Sequence, residues 1–291
     1  MSIPNDYKRS IEEIVILYKL EKNIKDLYVE GKSDRFFLEW HLKKMGVIHL
    51  NIYTIEDIFI PPEVLFKKGY EDNNRDRVLF LICCLNEDIS IDKYKGIIDK
   101  DILYFTRGLP VINNVLLTDY SCFEMYAYNK EVFTKINDTG FSHKIPNNLF
   151  IFINNVLLFT TAIRIFEKRM CISINKPELK KYITSINNKL DFEEKKYLSA
   201  IQSNNNVGLS YDNFSKKISD ISIELQNNDV KDFSNGHDFI TITNCSLKEL
   251  GIISRHITDD AIKAIIMVAI DTESLKTYNL FMELNKFYMM L

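Results

Sequence analysis

In the first part of the chain, three acids stand where apolar runs end. Glu30 follows Leu27-Tyr28-Val29, and Asp99 and Asp101 follow Gly96-Ile97-Ile98. Residues two apart in an extended chain point to the same side, so Asp99 and Asp101 can present their carboxylates together. In open α/β sheets the carboxyl ends of strands are where sites form, and Glu30 and the Asp pair are expected at such ends. Three clustered carboxylates repel one another by about 4 kcal/mol per pair at 4 Å and an effective dielectric near 20. A divalent cation removes that cost, and an all-oxygen ligand set favours Mg²⁺ or Mn²⁺ over zinc. The competing reading is three solvated loop acids that happen to follow strands.

A phosphate loop is excluded. Gly31-Lys32-Ser33 spells the end of GxxxxGK[ST], but the motif needs a glycine where Asp26 stands, and the residues between are the strand itself.

Other candidates each carry two readings. Asp34 is a ligand for a second metal, or an acid in a first helical turn that interacts well with the helix dipole. Glu124, near a fourth strand end with Thr118, Asp119 and Ser121, is a further ligand or the far half of a capping box begun by Ser121. Lys32 and Lys100 flank the carboxylates and are either phosphate contacts or solvated lysines. His237, in Asn235-Gly236-His237-Asp238, is a substrate contact or a buried or capping histidine. His41, His49, His143 and His256 have no ligand-like spacing.

The elements that must position these residues follow from periodicity. Residues 7–23 show helical spacing, and from about 26 to 125 short apolar runs alternate with helical patterns. Strands are expected at LYVEG, VIHLNIYTI, YKGIIDKDI and NNVLLTDYS. Helices are expected at SDRFFLEWHLKKMG, starting at Ser33, and at NNRDRVLFLICCLNED. Such alternation implies a mostly parallel sheet flanked by helices. After residue 130 long helical patterns dominate, roughly 147–170, 177–203, 213–227, 246–270 and 272–290. The expected organisation is an N-terminal helix over 1–23, an α/β domain over 24–130 and an all-helical domain over 131–291.

Composition sets bounds. The 291 residues carry a formal net charge of -3, so there is no general attraction to polyanions, and nucleic-acid binding must come from local cations. The five cysteines lack zinc-type spacing and read as reduced thiols. The charged N-terminus does not resemble a secretory signal, and a cytoplasmic location is expected. Residues 149–166 approach membrane-span length but contain Asn154, Asn155 and Arg164; a buried helix is expected, with no membrane partner.

Val29-Glu30-Gly31 at a first strand end, followed by Asp99-Lys100-Asp101 after a later strand, resembles the Toprim fold of topoisomerases, primases and OLD-type nucleases, over residues 24–128. The longer pattern VEGKSD, GIIDKD, LLTDYSCFE and NGHDFI is most similar to bacterial Toprim proteins joined to a helical domain. Those proteins include the nuclease effector of the PARIS anti-phage system, which is partnered by an ABC-type ATPase. The resemblance implies catalytic Mg²⁺ on Glu30, Asp99 and Asp101. Asp34 stands where OLD-type nucleases carry a second glutamate, and Glu124 matches the acid after the fourth strand. It implies a metal-dependent nuclease acting on tRNA or DNA, with an ATPase partner; Glu30 is the first candidate for general base, and a homodimer is expected. The alternative is a catalytically degenerate Toprim scaffold that binds the ATPase.

Overall fold

The strands form where β-branched and aromatic residues bunch between turn residues. Those of the main sheet in the α/β region are β1 (Asp26–Val29), β2 (Asn51–Thr54), β3 (Tyr94–Ile98) and β4 (Val115–Leu117), beside a short parallel pairing of Arg9–Ser10 with Ile58–Phe59. Strands β1 to β4 make one parallel sheet in the order β2-β1-β3-β4. The computed structural model describes residues 8–21, 23–47, 51–102, 108–142 and 144–289. His49 and His143, and the start of the expected second strand, lie outside the described residues.

The helices of this region are α1 (Ile11–Leu20), α2 (Lys32–Lys44), α3 (Pro62–Lys67) and α4 (Asn74–Asp88). Helix α1 opens with a capping box, in which Ser10 Oγ accepts from Glu13 N and the Glu13 carboxylate accepts from Ser10 N. The start of α2 departs from expectation. Gly31, not Ser33, is the cap position, and Asp34 Oδ2 accepts the Gly31 N–H at 2.9 Å.

Helix α4 presses Val78 and Ile82 onto the sheet at Gly96. A Cβ there would lie 2.6 Å from Ile82 Cγ1 and 3.0 Å from Val78 Cγ1. The glycine in β3 is therefore a packing requirement. Tyr28, Val78, Leu81, Ile82, Leu85, Tyr94 and Ile98 belong to the core on this side. At the start of β1, Asp26 is buried and accepts from Tyr18 Oη at 2.9 Å and Asn51 Nδ2 at 3.0 Å. It is a structural acid at the amino end of the sheet.

The chain divides into two compact units. The first comprises the described residues up to Asp99, with Leu109–Asp119 and Thr272–Leu291; the second comprises those of Lys100–Gly108 and Tyr120–Asp271. These boundaries differ from a single cut at residue 130, because the C-terminal helices α11 (Thr272–Leu275) and α12 (Asn279–Met289) belong with the sheet. Asp119, beyond β4, accepts from the N–H groups of Asn279 and Leu280 at 2.8 and 3.1 Å, satisfying orphan donors at the start of α12.

The second unit holds α5 (Lys130–Thr139), α6 (Leu149–Met170), α7 (Glu194–Asn204), α8 (Tyr211–Leu225), α9 (Gly236–Glu249) and α10 (Asp259–Val268). It is not all-helical. Where one helix was expected over 177–203, Ile183–Ile186 and Lys189–Phe192 pair as an antiparallel hairpin, β5 and β6, ahead of α7. The turn residues Asn187 and Asn188 have φ of 50° and 61°, the pattern of a type I′ turn. The helix expected over 246–270 is likewise interrupted, by Gly251 at φ 67°, and Thr258 caps α10. Helix α6 is long and apolar enough to cross a membrane, but most of it is buried within this unit, where Arg169 makes a bidentate pair with Glu224 on α8.

His41 of α2 is 1% exposed, with its ring 4.7 Å from that of Phe281 and no hydrogen-bond partner for Nδ1 among the described residues. Burial, helped by Lys276 and opposed by Glu273, pushes its pKa down to about 4. The folded state thus favours the neutral ring. The stability this contributes is complete above the unfolded value near 6.5 and is lost as pH falls toward 4, about 3 kcal/mol in all. In urea unfolding across pH 4–7, His41→Leu is expected to remove that part of the wild-type loss; parallel curves would contradict the assignment.

Candidate functional site

The parallel order β2-β1-β3-β4 dictates where a ligand can enter the first unit. From β1 the chain runs to β2 on one side and returns to β3 on the other, so the connections diverge above the carboxyl ends of β1 and β3. That divergence opens the crevice in which doubly wound sheets bind ligands. Glu30 is the first residue after β1 and Asp99 the first after β3.

The structure brings these two together. The Asp99 N–H donates to Glu30 Oε1 at 2.9 Å, across adjacent strands paired Val29 to Ile97. The amino end of α4 closes over them: Asn74 Nδ2 donates to the Glu30 carbonyl at 2.9 Å, and Arg75 Nε lies 3.7 Å from Glu30 Oε1. Glu30 and Arg75 side chains are each 20% exposed, so the pair sits at the rim, reachable by a ligand yet partly screened from water. Arg75 had no signal of its own in the sequence beyond a place in the first turn of a helix.

The remaining candidates divide. Asp34 spends one carboxylate oxygen on Gly31 N–H, the reading in which it serves the start of α2. Lys32 is largely solvated, 3.9 Å from Glu56. Asp101 belongs to the second unit, in a left-handed conformation (φ 48°) with its N–H donating to the Ser121 carbonyl at 2.7 Å. Lys100 also belongs there, where its charge acts on Asp232.

Glu124 does not complete a capping box. Ser121 Oγ donates instead to the Ser234 carbonyl, and Glu124 forms an ion pair with Lys263 of α10 at 2.5 Å. Burial pushes its carboxyl upward, but Lys263 outweighs this and holds it below the ordinary range. The motif Asn235-Gly236-His237-Asp238 is seated against it: a Cβ on Gly236 would stand 2.5 Å from Glu124 Oε2 and 2.7 Å from Cys122 Sγ. Asn235, not His237, caps α9, its Oδ1 accepting from the N–H groups of His237 and Asp238 at 3.0 and 3.2 Å. His237 is exposed, and Asp238 is buried and held bidentately by Arg164, Nε to Oδ2 at 3.0 Å and Nη2 to Oδ1 at 2.8 Å. The buried or capping histidine of the sequence reading is thus replaced by a capping asparagine and a buried aspartate. The charge of Asp101 also acts on Arg164 within this unit.

Among the described residues no group of three or more His, Cys, Asp and Glu is arranged to hold a metal ion. Glu30 and Asp99 still fit Mg²⁺ or Mn²⁺ chemically, since magnesium is commonly held by one or two carboxylates and completes its shell with waters and substrate phosphates. No family model and no curated protein matches this sequence.

Two outcomes follow. Gly236→Ala is expected to lower stability by about 1–3 kcal/mol, because backbone or Glu124 must shift to admit the methyl group; an unchanged thermal midpoint would contradict the seating. Arg164→Met is expected to cost about 2–3 kcal/mol, somewhat less than a fully buried pair, by stranding Asp238. The double variant Arg164→Met/Asp238→Leu should recover part of that loss in denaturant unfolding.

Proposed function

We propose that the chain is a Toprim-type, metal-dependent nuclease that hydrolyses phosphodiester bonds of nucleic acid, with its chemistry at Glu30 and Asp99. The observation that carries this reading is the Glu30 carboxylate held by the Asp99 N–H at the switch point of a parallel sheet, with Arg75 beside it. The resemblance of VEGKSD and GIIDKD to Toprim nucleases supports it.

Glu30 and Asp99 would hold Mg²⁺ or Mn²⁺, which supplies Lewis-acid stabilisation of phosphate charge and lowers the pKa of a bound water. Glu30 accepts a proton from the attacking water, as general base. The Asp99 N–H fixes the direction of the Glu30 carboxylate, and Arg75 offers donors to a phosphate oxygen, strengthening as charge develops. These local cations account for polyanion binding by a chain whose net charge is -3. In the cell the protein acts in the cytoplasm as a homodimeric anti-phage effector, held and released by an ABC-type ATPase; this part rests on the resemblance.

A second reading, a catalytically inactive scaffold for the ATPase, is favoured by Asp34, which is shorter than the glutamate of OLD-type enzymes and bonded to Gly31. Incubation of the purified chain with tRNA, single-stranded DNA and duplex DNA in Mg²⁺ or Mn²⁺ separates the two. Cleavage that falls about 100-fold or more in Glu30→Gln and Asp99→Asn, and is retained in Lys32→Ala, is expected. Cleavage by the wild type that survives both acid substitutions would overturn the site.

A further inference from the structure

The second unit contains a cleft of about 360 Å³ bordered by α6, the 176–180 segment and the amino end of α9. That volume is within the range of small-molecule sites. Its carboxylates are already engaged. Asp238 is held by Arg164, Asp259 accepts from Thr241 Oγ1 at 2.6 Å and from the Asn244 amide, and Glu178 pairs with Lys180 at 2.7 Å.

Its donors are not. Tyr197 is 2% exposed and lines the cleft, yet its hydroxyl makes no hydrogen bond among the described residues. Arg164 lines the same cleft, and the charges of Asp238 and Arg164 act on that hydroxyl. A buried phenol normally finds a partner, and here the space in front of it is the cleft. Arg164 uses Nε and Nη2 on Asp238 and has Nη1 to spare, and the exposed His237 ring has no hydrogen bond among the described residues. The amino end of the 14-residue helix α9 adds positive potential. Lys176 and Lys180 are balanced by Glu167 and Glu178, so selectivity falls to the free donors rather than to net charge. Ile163, Pro177 and Leu179 supply apolar wall.

Unused donors together with apolar wall call for a ligand with an acceptor-rich anionic group on a ring-sized body. We propose that this cleft binds a small phosphomonoester, its phosphate on Arg164, Tyr197 and His237 and its ring against Ile163, Pro177 and Leu179. The proposal does not depend on the chemistry assigned to Glu30 and Asp99.

Titration calorimetry of the whole chain in EDTA, which removes any metal contribution, tests the proposal with four nucleoside monophosphates, glucose 6-phosphate, adenosine and inorganic phosphate. At least one phosphomonoester should bind with Kd below about 1 mM. Adenosine and inorganic phosphate should each bind about 10-fold more weakly or worse, and the preferred phosphomonoester distinguishes a nucleotide from a sugar phosphate. Tyr197→Phe and His237→Ala, shown by thermal melting to be folded, should each weaken binding about 5–10-fold, the effect of one lost hydrogen bond. Absence of phosphomonoester binding, equal binding of adenosine, or affinity unchanged in both variants would overturn it. Loss of nuclease activity in Glu30→Gln leaves these outcomes unaffected.

Discussion

A parallel sheet whose neighbouring strands send the chain away in opposite directions cannot close the space above their carboxyl ends. A crevice over β1 and β3 follows from that topology, and the residues that emerge there are neighbours. Glu30 and Asp99 are those residues, and the N–H of one holds the carboxylate of the other. The close seating of α4 allowed by Gly96 brings Asn74 and Arg75 over the same rim, so a packing glycine in the core sets the position of a cation at the surface. The sheet, its flanking helix and the candidate chemistry are consequences of one connectivity.

The second unit shows the same economy with different parts. Gly236 lets the amino end of α9 reach Glu124, Asn235 caps the helix, and Asp238 turns inward to Arg164. A helix that by composition alone could be taken for a membrane span is instead a core element, and its one mid-helix charge is matched by a buried aspartate. That match removes the main objection to burying Arg164.

Much of the α/β region was legible because its strands are short apolar runs punctuated by Gly, Asp and Asn, and its helices carry regular periodicity. Local patterns failed where a long-range partner or a turn decided the outcome. Asn187-Asn188 between β-branched and apolar residues was a hairpin signal, overridden by the helical character of the flanking sequence. Ser121-x-x-Glu124 matched a capping box, yet Ser234 and Lys263, more than 100 residues away, took the two side chains. Arg75 and Arg164 were unreadable as partners because an arginine's place in a helix says nothing about which distant acid it meets. The return of α12 to the first unit through Asp119 was invisible for the same reason.

The claim on which the functional account turns is that Glu30 and Asp99 together hold a divalent ion. Titration of Mn²⁺ into the chain, followed by the loss of its free-ion paramagnetic resonance signal, measures this without reference to substrate. The account predicts saturable binding in the wild type that is weakened at least about 10-fold in both Glu30→Gln and Asp99→Asn, as expected when one of two carboxylate ligands is lost. Binding of equal strength in all three proteins, or no binding in the wild type, would contradict it.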